Sequence, residues 1–299
     1  MTGCTSSCEA ATTLEDLMAN YLLTSPHGRR YGLYRDNAFS PARSLLALRA
    51  PAQLQLPARA TTSQWMGKIR DQGQEGSCTG QLGAEYRDAL YRKLYLFEKE
   101  KNVAPTNFMA SAAFVYLCNL IAGGELGQDV GSTIHQTFIT LNQKGVCLES
   151  EEPYTDTNYS KSPSDEQYKE ALIYQGGAYH FLPSLKEIKA SIASGYSVGM
   201  GIDVYDSFEG SELAKTGFMP MPAASEKLLG GHAQHAMDYD DEIKFPDGSH
   251  GGVFVQNSWG SEWGISAAGR TDRGGYWMPY AYFDEHVRDA WMMHLGPAW

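Results

Sequence analysis

The chain has 299 residues, of which 42% are hydrophobic and 20% are charged, a composition typical of one large folded domain or two modest ones. Its formal net charge of −11 argues against nucleic acid or anionic lipid as the main partner, because both bind through basic patches. The sequence shows no signal-peptide pattern and no apolar run of bilayer length. We therefore expect no membrane partner and a cytoplasmic location by default, with secretion by another route left open.

The first 55 residues contain only one clearly periodic stretch. Residues 12–23 combine a capping box, formed by Thr12 and Glu15, with an apolar face, and Pro26 should end this short helix. The residues that follow include arginines, aromatic residues and prolines without clear periodicity. We therefore predict an extended N-terminal arm over residues 1–55.

A cysteine stands at the start of the longest predicted helix. From Gln81 onward, apolar residues recur at intervals of three and four, which predicts an amphipathic helix. The glycines before it predict a turn, and Ser77 predicts a helix cap. Cys78 would then lie in the first turn, where the helix dipole and free backbone N–H groups favour a thiolate, the nucleophilic form of cysteine. A buried cysteine at a helix start is an equally good interpretation of this stretch alone.

Downstream of this helix the pattern changes from helical to strand-like. Three further helices, the second ended by Gly145 and the third by Gly195, are predicted over residues 106–121, 132–144 and 184–194. Short apolar or alternating runs then predict an antiparallel sheet or barrel, and they cover residues 196–205, 216–221, 232–239, 251–259 and 274–280. The aromatic tail, residues 282–299, is expected to pack onto the body. The predicted fold class is α+β.

Three separated motifs together resemble the papain-like cysteine peptidase family. The stretch from Gln72 to Cys78, QGQEGSC, has the layout of the family's glutamine-to-cysteine loop. GGHAQHAMDYDDE places His232 where the family has its catalytic histidine, and VFVQNSWG places Asn257 in the family's Asn-Ser-Trp-Gly motif. The order Gln, Cys, His, Asn is also the family's order, over roughly the last four-fifths of the chain. Bacterial, cathepsin-like members with a Gly-Ser-Cys-Thr motif are the most similar.

The resemblance implies a two-lobed papain-like α+β fold. A helical lobe, residues 56–175, would carry the cysteine helix, and an antiparallel, barrel-like lobe, residues 176–299, would carry the histidine and the asparagine. In relatives an N-terminal prosegment lies along the cleft and blocks it, and residues 1–55 have the same place in the order of the chain. A packing strap that never touches the cleft is the alternative for this arm.

The resemblance also assigns roles to the motif residues. Cys78 would attack a peptide carbonyl as a thiolate paired with His232, and the side-chain carbonyl of Asn257 would hold the imidazole in one tautomer. The Gln72 amide would stabilise the oxyanion. The implied function is that of an endopeptidase acting on peptide or protein substrates through a Cys78 thioester, restrained by the arm, with no metal and no other cofactor.

Four further residues are expected to contact substrate. By position, Gly131 and Ser132 match the paired glycines whose backbone binds the substrate strand in relatives. The serine side chain would narrow that binding surface. Gly231 precedes the catalytic histidine, and Trp259 would shield the hydrogen bond between histidine and asparagine from water. The sequence does not indicate which substrate side chains are preferred.

The five cysteines show no framework spacing. Their number is odd, so at least one thiol stays unpaired in a monomer, and the sequence indicates no pairing among Cys4, Cys8, Cys118 and Cys147. Secreted members of the family have a structural cysteine at the position of Glu75, and its absence here fits a reducing compartment.

Two other functions stay open, and two other interpretations of the histidines compete with the catalytic role of His232. The scaffold could serve a catalytically weak peptide-binding protein, or an acyltransferase that uses an amine in place of water. His235 is a rival for the catalytic role, although the residues around His232 match the family better. A metal site formed by both histidines with Asp238, Asp240 and Asp241 is disfavoured, because strand residues three apart face opposite ways and the last two aspartates predict a turn.

Overall fold

The computed structural model describes residues 28–34, 36, 54–94, 108–264 and 274–295. The helix predicted over residues 12–23 lies outside these ranges, as do Cys4 and Cys8. The described residues form seven α-helices and seven β-strands, which we number in chain order. Helices dominate the earlier part and strands the later part, in agreement with the change of pattern in the sequence.

The three longest helices are α1 (Cys78–Lys93), α2 (Ala112–Gly123) and α3 (Ile134–Gln143). α2 begins later than predicted, because the Ser111 side chain caps it by accepting a hydrogen bond from the backbone N–H of Phe114 at 3.0 Å. α3 begins at Ile134 rather than at Ser132, because Thr133 is its N-cap. The four shorter helices are α4 (Asp165–Ala171), α5 (Leu185–Ala193), α6 (Ser211–Thr216) and α7 (Tyr280–His286).

All seven strands belong to one antiparallel sheet. They are β1 (Arg59–Thr61), β2 (Tyr179–Phe181), β3 (Val198–Tyr205), β4 (Leu228–Lys244), β5 (His250–Gln256), β6 (Gly275–Pro279) and β7 (Val287–Met293). Their order is β2-β7-β3-β4-β5-β6, and β1 pairs with β4. The aromatic tail therefore supplies α7 and a strand within the sheet. The predicted run over residues 216–221 forms only a single bridge, between Phe218 and Trp277.

Two large hydrophobic clusters lie on opposite faces of this sheet. One packs α1, α2 and α3 against it, and the other packs β3, β4, β5 and β6 under α5 and α7. β7 belongs to both clusters, because Trp291 and Met293 point into the first while Ala290 and Met292 point into the second. The lobe boundary between residues 175 and 176 stays a prediction. In the described part of the chain, no helix is long and apolar enough to cross a membrane.

Candidate active site

Cys78 is the first residue of α1 and is fully buried. Its thiol is within hydrogen-bonding reach of backbone groups of three residues, namely Ala233, Gly32 and Thr79. Burial raises the pKa of this thiol to about 11, and the three backbone contacts only partly oppose that shift. The helix start alone therefore does not make Cys78 a thiolate in this structure.

His232 and Asn257 meet because β4 and β5 are paired strands. The pair His235 and Gln256 aligns the two strands, so that His232 in β4 lies beside Asn257, which directly follows β5. The His232 Nε2 atom lies 2.8 Å from Asn257 Oδ1. Since an amide oxygen only accepts, Nε2 carries the proton and Nδ1 keeps its lone pair. Nδ1 has no hydrogen-bond partner among the described residues.

Aromatic rings enclose this imidazole. The Trp259 ring stacks on His232 with centroids 5.5 Å apart, and Phe208 approaches it edge-on at 6.1 Å. Burial lowers the pKa of His232 to about 4, the Asn257 hydrogen bond opposes that shift, and the Arg29 charge adds to it. The neutral thiol and the neutral imidazole are thus the favoured forms near pH 7 with the cleft as it stands.

Gln72 is fixed at both ends of its side-chain amide. Its Oε1 accepts from the Ser258 hydroxyl at 2.8 Å, and its Nε2 donates to the Glu75 carbonyl at 2.9 Å. The Gln72 backbone N–H also donates to the Ser258 carbonyl at 2.9 Å. A further Nε2–H reaches the carbonyl oxygen of Arg30 at 3.3 Å. Ser258, which directly follows Asn257, thus orients the Gln72 amide so that its N–H groups face the cleft.

Buried carboxyl groups brace the loop between Gln72 and Cys78, which we call the cysteine loop. The Tyr154 hydroxyl lies 2.8 Å from both Glu75 Oε2 and the Gln72 carbonyl. The Asp129 carboxylate accepts from the Gly76 backbone N–H at 2.9 Å. Burial raises the pKa of Glu75 to about 7, and the Tyr154 hydrogen bond opposes that shift. Sequence analysis assigned no role in the site to Asp129 or Tyr154, and the one related signal was Glu75, at a position where secreted members of the family have a structural cysteine.

The four residues expected to contact substrate all contact the arm instead. The Ser132 backbone donates to the Gly32 carbonyl at 2.8 Å and accepts from the Tyr34 N–H at 2.9 Å. Gly131 has a φ of +88°, and a Cβ there would lie 2.0 Å from the Gly32 carbonyl oxygen. On the other wall, the Gly231 carbonyl accepts from the Leu33 N–H at 3.2 Å. Residues 28–34, which we call the arm segment, thus run between two walls and parallel to the chain at Ser132.

Side chains of the arm segment fill the cleft along its length. The Arg29 guanidinium lies 4.9 Å from the centroid of the Trp259 ring, and the Tyr31 ring lies 5.8 Å from that of His232. Leu33 is fully buried, and Gly201 makes room for it, because a Cβ there would lie 2.6 Å from Leu33 Cδ2. Among the described residues, pairs of polar side chains that join the arm to the body include Arg29 with Asp71, Arg30 with Asp129, Tyr31 with Glu209, and Asp36 with His135.

His235 lies apart from this site. Its Nε2 is 2.8 Å from the Ser197 hydroxyl, and its ring packs on Tyr86. Asp240 and Asp241 are strand residues of β4 and not the turn predicted from the sequence, because β1 pairs with β4 at Asp240 and the Asp241 N–H donates to the Ala58 carbonyl. Arg59 lies beside the Asp240 carboxylate and Lys189 beside that of Asp241. In the described ranges, no group of three or more metal-ligating side chains comes together.

The cysteine loop, the histidine and asparagine on neighbouring strands, and the α+β fold define a class of protein. The model for papain family cysteine proteases matches residues 54–276. The chain belongs to this family, and the papain-like α+β fold predicted from the sequence is confirmed. It is a cysteine-type peptidase.

Individual relatives agree with this assignment. An uncharacterized peptidase C1-like protein of Acanthamoeba polyphaga mimivirus is 30% identical over 245 residues, which cover 78% of this chain and 71% of the viral protein. The crystal structure of xylellain, a cysteine protease from Xylella fastidiosa, is 26% identical with a TM-score of 0.75, and the match covers 92% of this chain and 97% of xylellain. A procathepsin B from Trypanosoma congolense shares the fold at 15% identity, with a TM-score of 0.62 and coverage of 90% and 87%.

Proposed function

We propose that this protein is a cysteine endopeptidase that hydrolyses peptide bonds through a thioester on Cys78, and that its N-terminal arm restrains it by occupying the cleft. The observation that carries the proposal is the position of the Arg30 carbonyl, 3.3 Å from the Gln72 side-chain amide. A peptide carbonyl thus already occupies the place where the oxyanion of an attacked substrate would need a donor.

The residues support a complete acyl-transfer cycle. Cys78 passes its proton to the Nδ1 lone pair of His232, and its sulfur bonds to the substrate carbonyl carbon, which puts negative charge on oxygen. The Gln72 amide and the Cys78 backbone N–H stabilise that charge. The C–N bond breaks as His232 protonates the leaving amine, which leaves a thioester on Cys78. Water then attacks the thioester with His232 as base, and the acid product leaves with the thiol restored.

The arm segment uses the groups that a peptide substrate would need. Its backbone pairs with Ser132 on one wall and with Gly231 on the other, and Leu33 fills the pocket beside Gly201. Full burial of a leucine side chain contributes about 1.5–3 kcal/mol, whereas exposed ion pairs such as Arg29 with Asp71 contribute about 0–1 kcal/mol. Leu33 is therefore expected to contribute more to the attachment of the arm than the exposed ion pairs do.

The first experiment weakens this attachment in the full-length chain. In Leu33→Asp, an unpaired carboxylate would have to be buried next to the half-buried Asp289, so the arm segment should leave the cleft. We expect hydrolysis of a fluorogenic dipeptide amide under reducing conditions to rise by at least about tenfold. Leu54→Asp is the matched control, because Leu54 is 40% exposed and the same substitution there should leave the rate unchanged.

A second substitution separates the two halves of the proposal. Cys78→Ala in the Leu33→Asp chain should abolish hydrolysis, and an epoxysuccinyl thiol inhibitor should do the same in the chain that keeps Cys78. Equal rates for Leu33→Asp and the wild type would contradict restraint by the arm. Hydrolysis that persists without Cys78 would contradict the thioester mechanism, and silence of every variant would favour a peptide-binding role.

A further inference from the structure

We propose that Asp129 makes this peptidase select substrates with arginine, and more weakly lysine, at the residue that donates the attacked carbonyl. The inference rests on the proposed function and adds a substrate class to it. It is carried by one residue of the arm, Arg30, which contacts the oxyanion donor and an acidic side chain at the same time.

The two contacts of Arg30 lie at opposite ends of the residue. Its carbonyl oxygen is 3.3 Å from Gln72 Nε2, and its guanidinium Nη1 is 2.8 Å from Asp129 Oδ2. The Asp129 side chain is only 4% exposed, whereas that of Arg30 is 46% exposed. The acid is thus part of the cleft wall, and the arginine lies over it from the open side.

Any productive substrate must place its attacked carbonyl where the carbonyl of Arg30 now lies. That requirement comes from Gln72 and Cys78, so the distance from the attacked carbonyl to Asp129 is the same for a peptide that runs in either direction through the cleft. Arg30 shows that an arginine side chain spans the distance from this carbonyl position to Asp129. A shorter or uncharged side chain at the same residue could not replace that ion pair.

Most hydrogen bonds to the Asp129 carboxylate are made by its Oδ1 atom, which leaves Oδ2 available to a cation. Its Oδ1 accepts from the Gly76 N–H at 2.9 Å and from the Tyr116 hydroxyl at 2.8 Å, and the Gly76 N–H also lies 3.2 Å from Oδ2. The Tyr116 hydroxyl in turn accepts from the Gly131 N–H at 3.0 Å. The carboxylate is therefore fixed between the cysteine loop and the opposite wall, and Oδ2 faces Arg30.

The charges around this position favour a cation. Glu75 lies close enough to Asp129 for the two carboxyl groups to repel each other. Among the described residues, Asp129 forms an ion pair with Arg30, which belongs to the arm. When the arm leaves, the same carboxylate becomes free to bind a cationic side chain of the substrate. Hydrogen bonds to charged partners in such partly buried places change binding by about 10- to 100-fold.

The test compares two substrates that differ only in charge. Two fluorogenic dipeptide amides would carry arginine or citrulline, its neutral isostere, directly before the scissile bond. In the full-length Leu33→Asp chain, we expect kcat/KM to be at least about tenfold higher for arginine. Asp129→Asn should bring the ratio close to one, because the amide keeps the Oδ1 acceptor for Gly76 and Tyr116 and loses only the negative oxygen that faces the arginine.

A second acid beside the cleft provides the control. Asp71 pairs with Arg29 of the arm at 3.1 Å, so Asp71→Asn removes the same charge at another position and should preserve the ratio. Because the ratio is measured on one preparation, partial unfolding of a variant cancels. Equal rates for both substrates, or a preference that survives Asp129→Asn, would overturn the assignment of Asp129 and leave the peptidase intact. Failure to hydrolyse either substrate would overturn the proposed function and this inference with it.

Discussion

The Gln72 side chain is the clearest case of a group whose direction is set by its neighbours. Ser258 holds its oxygen and the Glu75 carbonyl holds one N–H, which leaves a donor for the cleft. Replacing Gln72 by alanine in the Leu33→Asp chain should lower kcat by about 100- to 1,000-fold, or about 2.7–4 kcal/mol in barrier height, with a much smaller change in KM. Steady-state kinetics on a dipeptide amide would measure both constants.

The control for this substitution is Gln128→Ala, since Gln128 is an exposed residue between α2 and α3. Its kcat should equal that of the parent chain. A loss at Gln72 that fell on KM alone would mean that the amide binds the ground state as strongly as the transition state, and it would contradict a role in oxyanion stabilisation.

The sequence indicates the candidate site residues much better than it indicates their protonation states. Cys78, His232, Asn257 and Gln72 stand in motifs that resemble the family's at fixed spacing, so each could be proposed from the sequence alone, and their catalytic roles stay predictions. The thiolate expected at Cys78 is not the favoured form here, because the thiol is buried, with Gly32 of the arm and Ala233 of β4 beside it. Asp129 has no local signal, since it meets Gly76 and Arg30 only after segments 53 and 99 residues apart come together.

Helices and strands were predicted best where packing agrees with local pattern. α1, α3 and α5 were expected from their apolar periodicity. α1 begins after Ser77 as predicted, and α3 and α5 begin one or two residues later than predicted, after Thr133 and Ser184. β7 was missed because both of its faces are buried, in different clusters, so apolar residues run consecutively without alternation. Whether the arm crosses the cleft or straps the body could not be decided from its sequence, which shows no periodicity.

The arm segment should control the reactivity of Cys78 as well as access to it. Burial beneath the arm favours the neutral thiol, with a pKa of about 11, and deprotonation is required for alkylation. In the full-length wild type we therefore expect the alkylation rate at Cys78 to keep rising up to and beyond pH 9. In Leu33→Asp, where water can reach the sulfur, the rate should be higher at pH 7 and should level off at lower pH. Iodoacetamide labelling followed by peptide mass spectrometry would give rates for each cysteine.

Cys118 and Cys147 serve as internal controls in the same samples. Both are buried away from the cleft, and burial raises the pKa of Cys118 to about 12 and raises that of Cys147 as well. Their labelling should be equally slow with and without the Leu33 substitution. Identical pH profiles for Cys78 in the two chains would contradict a shielding role of the arm, and faster labelling of all three cysteines would indicate general unfolding.

Across the molecule, the two hydrophobic clusters are joined by a strand near the C-terminus. β7 lies between β2 and β3, and its alternate residues enter both clusters. Cys78 lies in the cluster of the helices, whereas Trp259 lies in the other. The two clusters are therefore joined in part by residues that come after all the family-like motifs in the chain, and we expect the two clusters to unfold together.

Substitutions on the two faces of β7 test this coupling. Trp291 is fully buried, stacks on His135 at 4.5 Å and donates from its indole N–H to Asp289 at 3.0 Å, so Trp291→Ala should cost about 3–5 kcal/mol. Met292 points into the other cluster, and Met292→Ala should cost about 2–5 kcal/mol. Urea unfolding, followed by far-ultraviolet circular dichroism and by fluorescence of the remaining tryptophans, should show for both variants one lowered midpoint shared by the two probes. Trp65→Ala, at a half-buried tryptophan outside β7, should lower the urea midpoint less than Trp291→Ala does.

Separate midpoints for the two probes in either β7 variant would mean that the clusters unfold independently. The C-terminal strand would then not be what couples the walls of the cleft.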